Sequence, residues 1–570
     1  MPVEGRMPAS RVSFLGALTA AAVFLALSLP GAGARGIVAE EVQPTLARYP
    51  HVLDATPDAG LLPPYEREVA SPRWVATPQW PVLAYDGETR VWPVFIRGHQ
   101  TALGSWASMA LQPLLGGGVE GLQRASGVLS ALLILAAWWL ARRLGLGDVV
   151  SPNGVAPGGF GPAVVAGIVT VSFGTLFFSR TGYSFELASR LGLVLSLAIA
   201  APLQPLSRAR AVALGLVVGL TLLSRATIGV TLFPALAVLF LHDARKSART
   251  TFALAGVISV AVPLLFVALV TLVVPFASGT GPLAEFPWER LGPRMLEAPG
   301  HLAVQLAWLG DANAILDPLR SGTVPGGTHF GLAVALGVIP FSLALLRWWR
   351  GTAGDGERML VVAVVSNATV GSALYNSPAQ FQLAIALDVL LAVALFEQLS
   401  SLRGRAVLGA LGVVLLVKGV EVAHGLRGDA SVATPMFSIR AQHAALEQLK
   451  TLGAKGPDVM TTTYNQAGVL EAWTGGALAP THAWMLLRRT KDVPSDWPRE
   501  ELKRALSFSK PRFVLLSSGP NAMDGPFADN AAVEQQLPNA ALELGARLSN
   551  RWDFPTESGG PGWALVELAW

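Results

Sequence analysis

The chain has 570 residues, of which 52% are hydrophobic and only 14% charged, with a formal net charge of +4. Soluble domains carry about 25% charged residues, so much of this surface must face lipid. Cysteine is absent, which excludes disulfides, thiolate catalysis and cysteine-held metals. No long Lys/Arg run or basic–aromatic stripe appears, so a nucleic-acid partner is not expected.

A helix crossing about 30 Å of hydrocarbon needs roughly 20 apolar residues. On that measure the candidate spans are 12–30, 121–141, 159–178, 186–203, 209–223, 226–241, 251–275, 329–346, 358–375, 379–396 and 405–422. The short pair 209–223 and 226–241 meets at "LLSRAT" and predicts a tight re-entry. Lys and Arg fall in alternate connections: Arg142 and Arg143; Arg208 and Arg210; Arg245, Lys246 and Arg249; Arg347, Arg350 and Arg358; Arg403 and Arg405. The positive-inside rule then places the N-terminus and these connections in the cytoplasm and the C-terminus outside, across about 11 spans of a multi-pass inner membrane protein. A ten-span variant follows if the first segment is a cleaved signal peptide, since Arg6 and Arg11 precede the apolar run and "GAGAR" follows it.

The organisation expected is a first helix (1–30), an outer loop with a juxtamembrane helix (31–120), a helix bundle (121–425) interrupted by an outer loop (276–327), and a small extracytoplasmic α/β domain (430–570). In the last, "SIRAQHAALEQLKTLGA" has helical spacing, while "PDVMTTTY", "PRFVLLSS" and "GWALVEL" are strand-like. No P-loop, dinucleotide fingerprint or His-Glu-x-x-His motif is present.

Ionisable groups near a membrane usually have a reason to be there. Glu40 and Glu41 stand about ten residues beyond Pro30 and read either as solvated charges at a helix exit or as a general base at the membrane surface. "VWPVFIRGHQTALGSWASMALQP" (Val91–Pro113) contains Arg97 and His99 and reads as an interfacial amphipathic helix, with Arg97 snorkelling or meeting a lipid phosphate. Glu186 and Arg190 are four apart and can pair on one helix face, as a structural pair or near substrate. Arg225, in "LLSRATIGV", is a second phosphate candidate or a plain turn cation. Asp388, inside the apolar "AIALDVLLAVAL", argues for an alternative, a polytopic transporter or lipid flippase with a proton path. The eight histidines form no spaced ligand set. No cofactor is firmly implied, and a divalent cation held by carboxylates stays open.

The acidic pair in "AEEVQP", the segment "GVEGLQRASGVLSALLILAAWWLARRLG" with a mid-segment Arg124, "GLTLLSRATIGVTLFPAL" and "YNSPAQFQLAIALDVLLAVAL" together resemble the polytopic GT-C glycosyltransferases. The likeness is to bacterial relatives of the protein O-mannosyltransferases and the lipid A aminoarabinose transferases, and it covers roughly residues 12–420 by layout. It implies a sugar donor carried on polyprenyl phosphate in the membrane lipid, and transfer with inversion outside the cytoplasmic membrane to a lipid, glycan or protein acceptor. By position it makes Glu40 or Glu41 the base, with Arg97 and Arg225 on the leaving lipid phosphate.

Overall fold

The structure, a computed structural model, describes residues 9–33, 82–85, 91–93, 95–97, 100–101, 103–145, 161–171, 184–201, 206–242, 246–273, 334–374, 438–463, 497–517, 530–556 and 559–570. It also describes scattered residues within 295–331, 412–416 and 466–482.

The membrane part is a bundle of α1 (Ala9–Ser28), α2 (Leu103–Leu111), α3 (Gly118–Arg143), α4 (Gly161–Val171), α5 (Ser184–Ala200), α6 (Arg208–Ser224), α7 (Ala226–His242), α8 (Lys246–Val273), α9 (Ile339–Trp349) and α10 (Asp355–Leu374). Nine of the expected spans meet these helices. Of the last two, 379–396, with Asp388, lies outside the described residues, and 405–422 is described only at residues 412, 413 and 416, which are helical. Among the described residues, Arg11–Ser28, Gly118–Arg143 and Arg249–Leu269 are long and apolar enough to cross a membrane. Their positions differ, for 72% of the second is buried against 11% of the third. So α3 is the axis of the bundle and α8 its rim. On α8, Val257, Leu264, Leu265 and Leu269 are each more than 60% exposed, an apolar face suited to lipid and not to water.

Small residues set the helix spacing. Gly215 and Gly219 of α6 form a Gly-x-x-x-Gly ridge against α8. A Cβ at Gly215 would sit 2.6 Å from the Ile258 Cβ, and one at Gly219 would sit 2.7 Å from the Val262 Cβ. Four residues along α6 match four along α8, so these two helices run parallel and α7 returns between them. Helices α1 and α3 run antiparallel, since Trp138 Nε1 donates to Ser13 Oγ (2.9 Å) while Gly127 meets Ser28 and Leu29.

One end of the bundle is basic. There Arg143 and Arg210 donate to the Ala201 carbonyl (3.4 and 3.5 Å), and Arg210 also to that of Ile199, placing cations on the negative end of α5. Arg347 pairs with Glu357 across the α9–α10 turn, with an Nε bond of 2.9 Å. The opposite end, called the head below, holds the exit of α1, the start of α3 and the junction of α6 with α7.

The C-terminal part is three-layered. Helix α11 (Ile439–Thr451) precedes β5 (Val459–Thr461), β6 (Thr481–His482), α12 (Trp497–Ser509), β7 (Phe513–Ser517), α13 (Asn530–Glu543), β8 (Arg547–Phe554) and β9 (Trp563–Ala569). The strand order is β6-β5-β7-β9-β8, parallel across the first three and antiparallel thereafter. Period-two alternation divides the sheet. Phe513, Leu515, Trp563 and Leu565 pack under α11, while Val514, Leu516, Ala564 and Val566 pack on α12 and α13. Val119, in the first turn of α3, belongs to the α11 layer, so bundle and domain share a core.

Candidate active site at the head of the bundle

The strongest local feature is the junction of α6 and α7, which a single residue separates. Arg225 is extended (φ −158°, ψ 101°); its N–H donates to the Thr221 carbonyl at 2.8 Å, closing α6. Its own carbonyl accepts from the N–H groups of Ile228 and Gly229, both at 3.1 Å, opening α7. The reversal is tight enough that a Cβ on Gly229 would lie 2.6 Å from Leu222. In a continuous helix, residues seven apart are about 10 Å apart along the axis, so this approach is a hairpin. The re-entry expected at "LLSRAT" is therefore present, with Arg225 at its apex.

Arg225 is only 5% exposed and Arg190 of α5 only 2%. Both are engaged by neighbouring groups. Their levels follow from the α5–α6 contact, where Gly192 abuts Thr221. At 1.5 Å per residue, Arg190 lies about 3 Å and Arg225 about 6 Å headward of that contact. Two buried guanidiniums thus occupy the same turn of the bundle, with Ser189, Thr221 and Ser224 buried beside them. The side chain of Glu186 lies outside the described residues, as does any pairing with Arg190.

Arg97 corrects an expectation. Val91–Pro113 is not one interfacial helix. Val91–Pro93 (β2) pairs with Val82–Tyr85 (β1), and Phe95–Arg97 (β3) pairs antiparallel with Gln100–Thr101 (β4); the helix begins only at Leu103. The β-branched and aromatic residues before Gly98 favour strand, and the small residues after Leu103 favour helix. Strand β4 contacts α6, and α2 packs on α3, α5 and α6. The hairpin carrying Arg97 therefore docks on the helix that Arg225 terminates. Its side chain, His99, and both Glu40 and Glu41 lie outside the described residues.

Arg124 is a second correction. It sits in the second turn of α3, not mid-membrane, paired with Glu120 and donating to the Leu115 carbonyl at 3.0 Å. Beside it the Gln123 Oε1 accepts the Gly33 N–H at 2.8 Å, fixing where the chain leaves α1. Sequence reading passed over this Glu120–Gln123–Arg124 cluster, although the i, i+4 Glu–Arg spacing was visible. Among the described residues no three metal-ligating side chains gather.

No protein-family model and no curated protein sequence matches the chain. Solved structures do. The apo crystal structure of ArnT from Cupriavidus metallidurans matches with a TM-score of 0.53 at 13% identity, over 96% of this chain and 97% of that one. The same protein bound to undecaprenyl phosphate matches with a TM-score of 0.52 over the same shares. The chain has the GT-C fold. The oligosaccharyltransferase of Archaeoglobus fulgidus is a more distant likeness, with a TM-score of 0.47 at 14% identity, and this chain spans 64% of its length. In this GT-C fold, the ArnT likeness extends through the C-terminal layers as well as the bundle, as the coverage requires.

Proposed function

We propose that the chain is a membrane glycosyltransferase. It takes a sugar from a polyprenyl-phosphate carrier and passes it to a lipid, glycan or protein acceptor on the outer face of the cytoplasmic membrane. The observation that carries this reading is the buried Arg225 at a helix break in a fold shared along its length with a protein solved with undecaprenyl phosphate. A buried arginine is costly unless it meets an anion, and the N-terminus of α7 adds a positive dipole end at the same place.

A groove supports the same reading. Between α6, α7 and α8 lies a cavity of about 230 Å³ lined by Leu214, Val218, Phe233, Leu236, Phe252 and Gly256. Its α6 wall begins seven residues before Arg225, so it starts about 10 Å below the guanidinium. A phosphate held by Arg225 and Arg97 would leave its polyprenyl tail in this wedge.

In the reaction, an acceptor oxygen or nitrogen attacks the anomeric carbon as the bond to the phosphate oxygen breaks, which inverts the centre. The acceptor proton passes to Glu40 or Glu41, and polyprenyl phosphate leaves with its negative charge met by the arginines. Glu40 is seven residues from the anchored Gly33, a reach of at most about 25 Å.

The test is a transfer assay on the purified chain in lipid, with radiolabelled polyprenyl-phosphate sugars and a membrane extract as acceptor. Glu40→Gln with Glu41→Gln is expected to lower label release by about 100-fold or more while the protein still folds. Unchanged release in that double variant removes the base, and no release from the parent across a broad donor panel removes the enzyme.

A further inference from the structure

Among the described residues of the C-terminal layers, the polar residues that are buried outright gather at one end. Thr461, Thr462, Thr463, Gln466 and Ser517 are each 5% exposed or less, and they cluster where β5 and β7 terminate. The remaining three buried polar residues among those described lie at the start of α11 and in the β8–β9 turn. That is the same end, because Ser517 pairs with Trp563 and the adjoining Gly562 abuts Ala441 in the first turn of α11. None of the eight is charged.

Topology makes this end distinctive. The connection leaving β5 crosses on the α11 face, where Val469, Leu470 and Leu478 join that core layer. The connection leaving β7 crosses on the opposite face, through α13. Adjacent parallel strands whose connections part to opposite faces leave a crevice at their carboxyl ends, the place where open α/β sheets bind ligands. Thr461 and Ser517 are on the α11 face of that crevice by the strand alternation.

Local hydrogen bonds account for part of the cluster. Gln466 Oε1 accepts from the N–H groups of Thr462 and Thr463, both at 3.3 Å, and Thr462 Oγ1 donates to the Leu515 carbonyl at 2.9 Å. One atom is left over. Gln466 is fully buried, and its Nε2 has no hydrogen-bond partner among the described residues. A buried amide donor without a partner carries its full desolvation cost, which an acceptor atom of a bound ligand would offset.

We infer that the crevice between the ends of β5 and β7 binds an uncharged, hydroxyl-rich ligand, a carbohydrate, with Gln466 Nε2 donating to one of its oxygens. Hydroxyls and an amide, with no charge among the described buried residues of this end, match neutral sugar rather than phosphate or carboxylate. The crevice opens where α11 begins, and the α11 core layer also takes in Val119 from the first turn of α3, so the domain that holds the glycan is packed on the head. Resting on the glycosyltransferase reading, this assigns the crevice as the acceptor subsite.

The experiment uses the full chain in lipid nanodiscs, a panel of neutral mono- and disaccharides, and saturation-transfer NMR without donor. The parent is expected to transfer saturation to at least one sugar. Gln466→Met and Ser517→Val should each weaken it by about tenfold, the loss of one hydrogen bond. Thermal unfolding establishes that each variant is folded, and Ser517→Val carries the test if Gln466→Met is not. Donor consumption at limiting acceptor, measured separately, should fall by a similar factor in both variants and recover at high acceptor concentration. A parent that binds no neutral sugar, or folded variants that bind as the parent does, overturns the subsite. A parent that binds sugar through Gln466 yet consumes no donor overturns the enzyme reading and leaves the crevice standing.

Discussion

The head of the bundle and the C-terminal layers treat charge in opposite ways. In the layers, cations and acids meet at the rim: Arg512 with Glu567 (2.8 Å), Arg551 with Glu534 (2.6 Å), Lys503 with Glu543 (2.9 Å). Every described polar residue that is buried outright there is neutral, and the buried Arg499 Nε and Glu501 Oε2 belong to side chains that are otherwise partly exposed. In the bundle, Arg190 and Arg225 are buried as charges. Rim pairs contribute little, about 0–1 kcal/mol each, and a domain can gain or lose them freely. Burying a guanidinium costs several kcal/mol before any partner is found, so its presence asks for a role beyond stability. On the proposed reading, the difference assigns chemistry to the head and solubility to the rim.

The sharpest way to break that contrast is Arg225→Met. It removes the charge and keeps most of the packing, so transfer should fall by about 100-fold or more, the scale of losing one donor to a developing anion. Arg225→Lys should recover part of the activity, because a point charge replaces a two-pronged donor. Label release measured beside thermal unfolding separates the cases. A Met variant with parental activity would mean that Arg225 only holds the turn.

The turn itself can be tested independently. Gly229→Val forces a side chain into Leu222 and should cost about 1–3 kcal/mol, seen as a lower unfolding temperature in lipid. At Gly256 an added Cβ meets nothing within 4 Å, so Gly256→Ala should cause no loss of stability and, by helix propensity, a gain of up to about 1 kcal/mol. It is the control for glycine replacement within the same set of helices.

What the sequence made legible follows from how strong each local signal is. Apolar length is a strong signal, and it located helices such as α3 and α8 within a few residues. The break at Arg225 was readable because Ser-Arg interrupts two apolar runs that are each too short to cross alone. β5, β7 and β9 were readable because they are buried on both faces and therefore continuously apolar. β8 was not, since "RLSNRWDF" is largely exposed and its pairing with β9 is long-range. The β3–β4 hairpin was hidden for a similar reason: strands of two or three residues give no period to detect, and the helix that follows lent them its pattern. Arg124 was misplaced because hydropathy marks a span and not its ends. Only the Glu120 pairing and the Leu115 carbonyl show that it stands at the head.

The smallest effect sharpens the rim side of the comparison. His443 stacks edge-on to Trp473 at 4.6 Å between ring centres, and burial against it lowers the imidazole pKa, with Lys450 adding to that and Glu447 opposing it. A lowered pKa means the folded state resists protonation. Stability is then complete above the unfolded value of about 6.5 and is lost as pH falls from there towards the folded pKa. Glu567 shifts down because Asn550 and then Arg512 donate to its carboxylate, so its contribution is complete above about 4.3 and is lost in a second, lower step. Because His443 remains partly exposed, the first step should stay well below about 1 kcal/mol. Thermal unfolding of the full chain, scanned downward from neutral pH, should show this first step in the parent and not in His443→Gln. A step that persists in the variant would assign the pH sensitivity to a group other than His443.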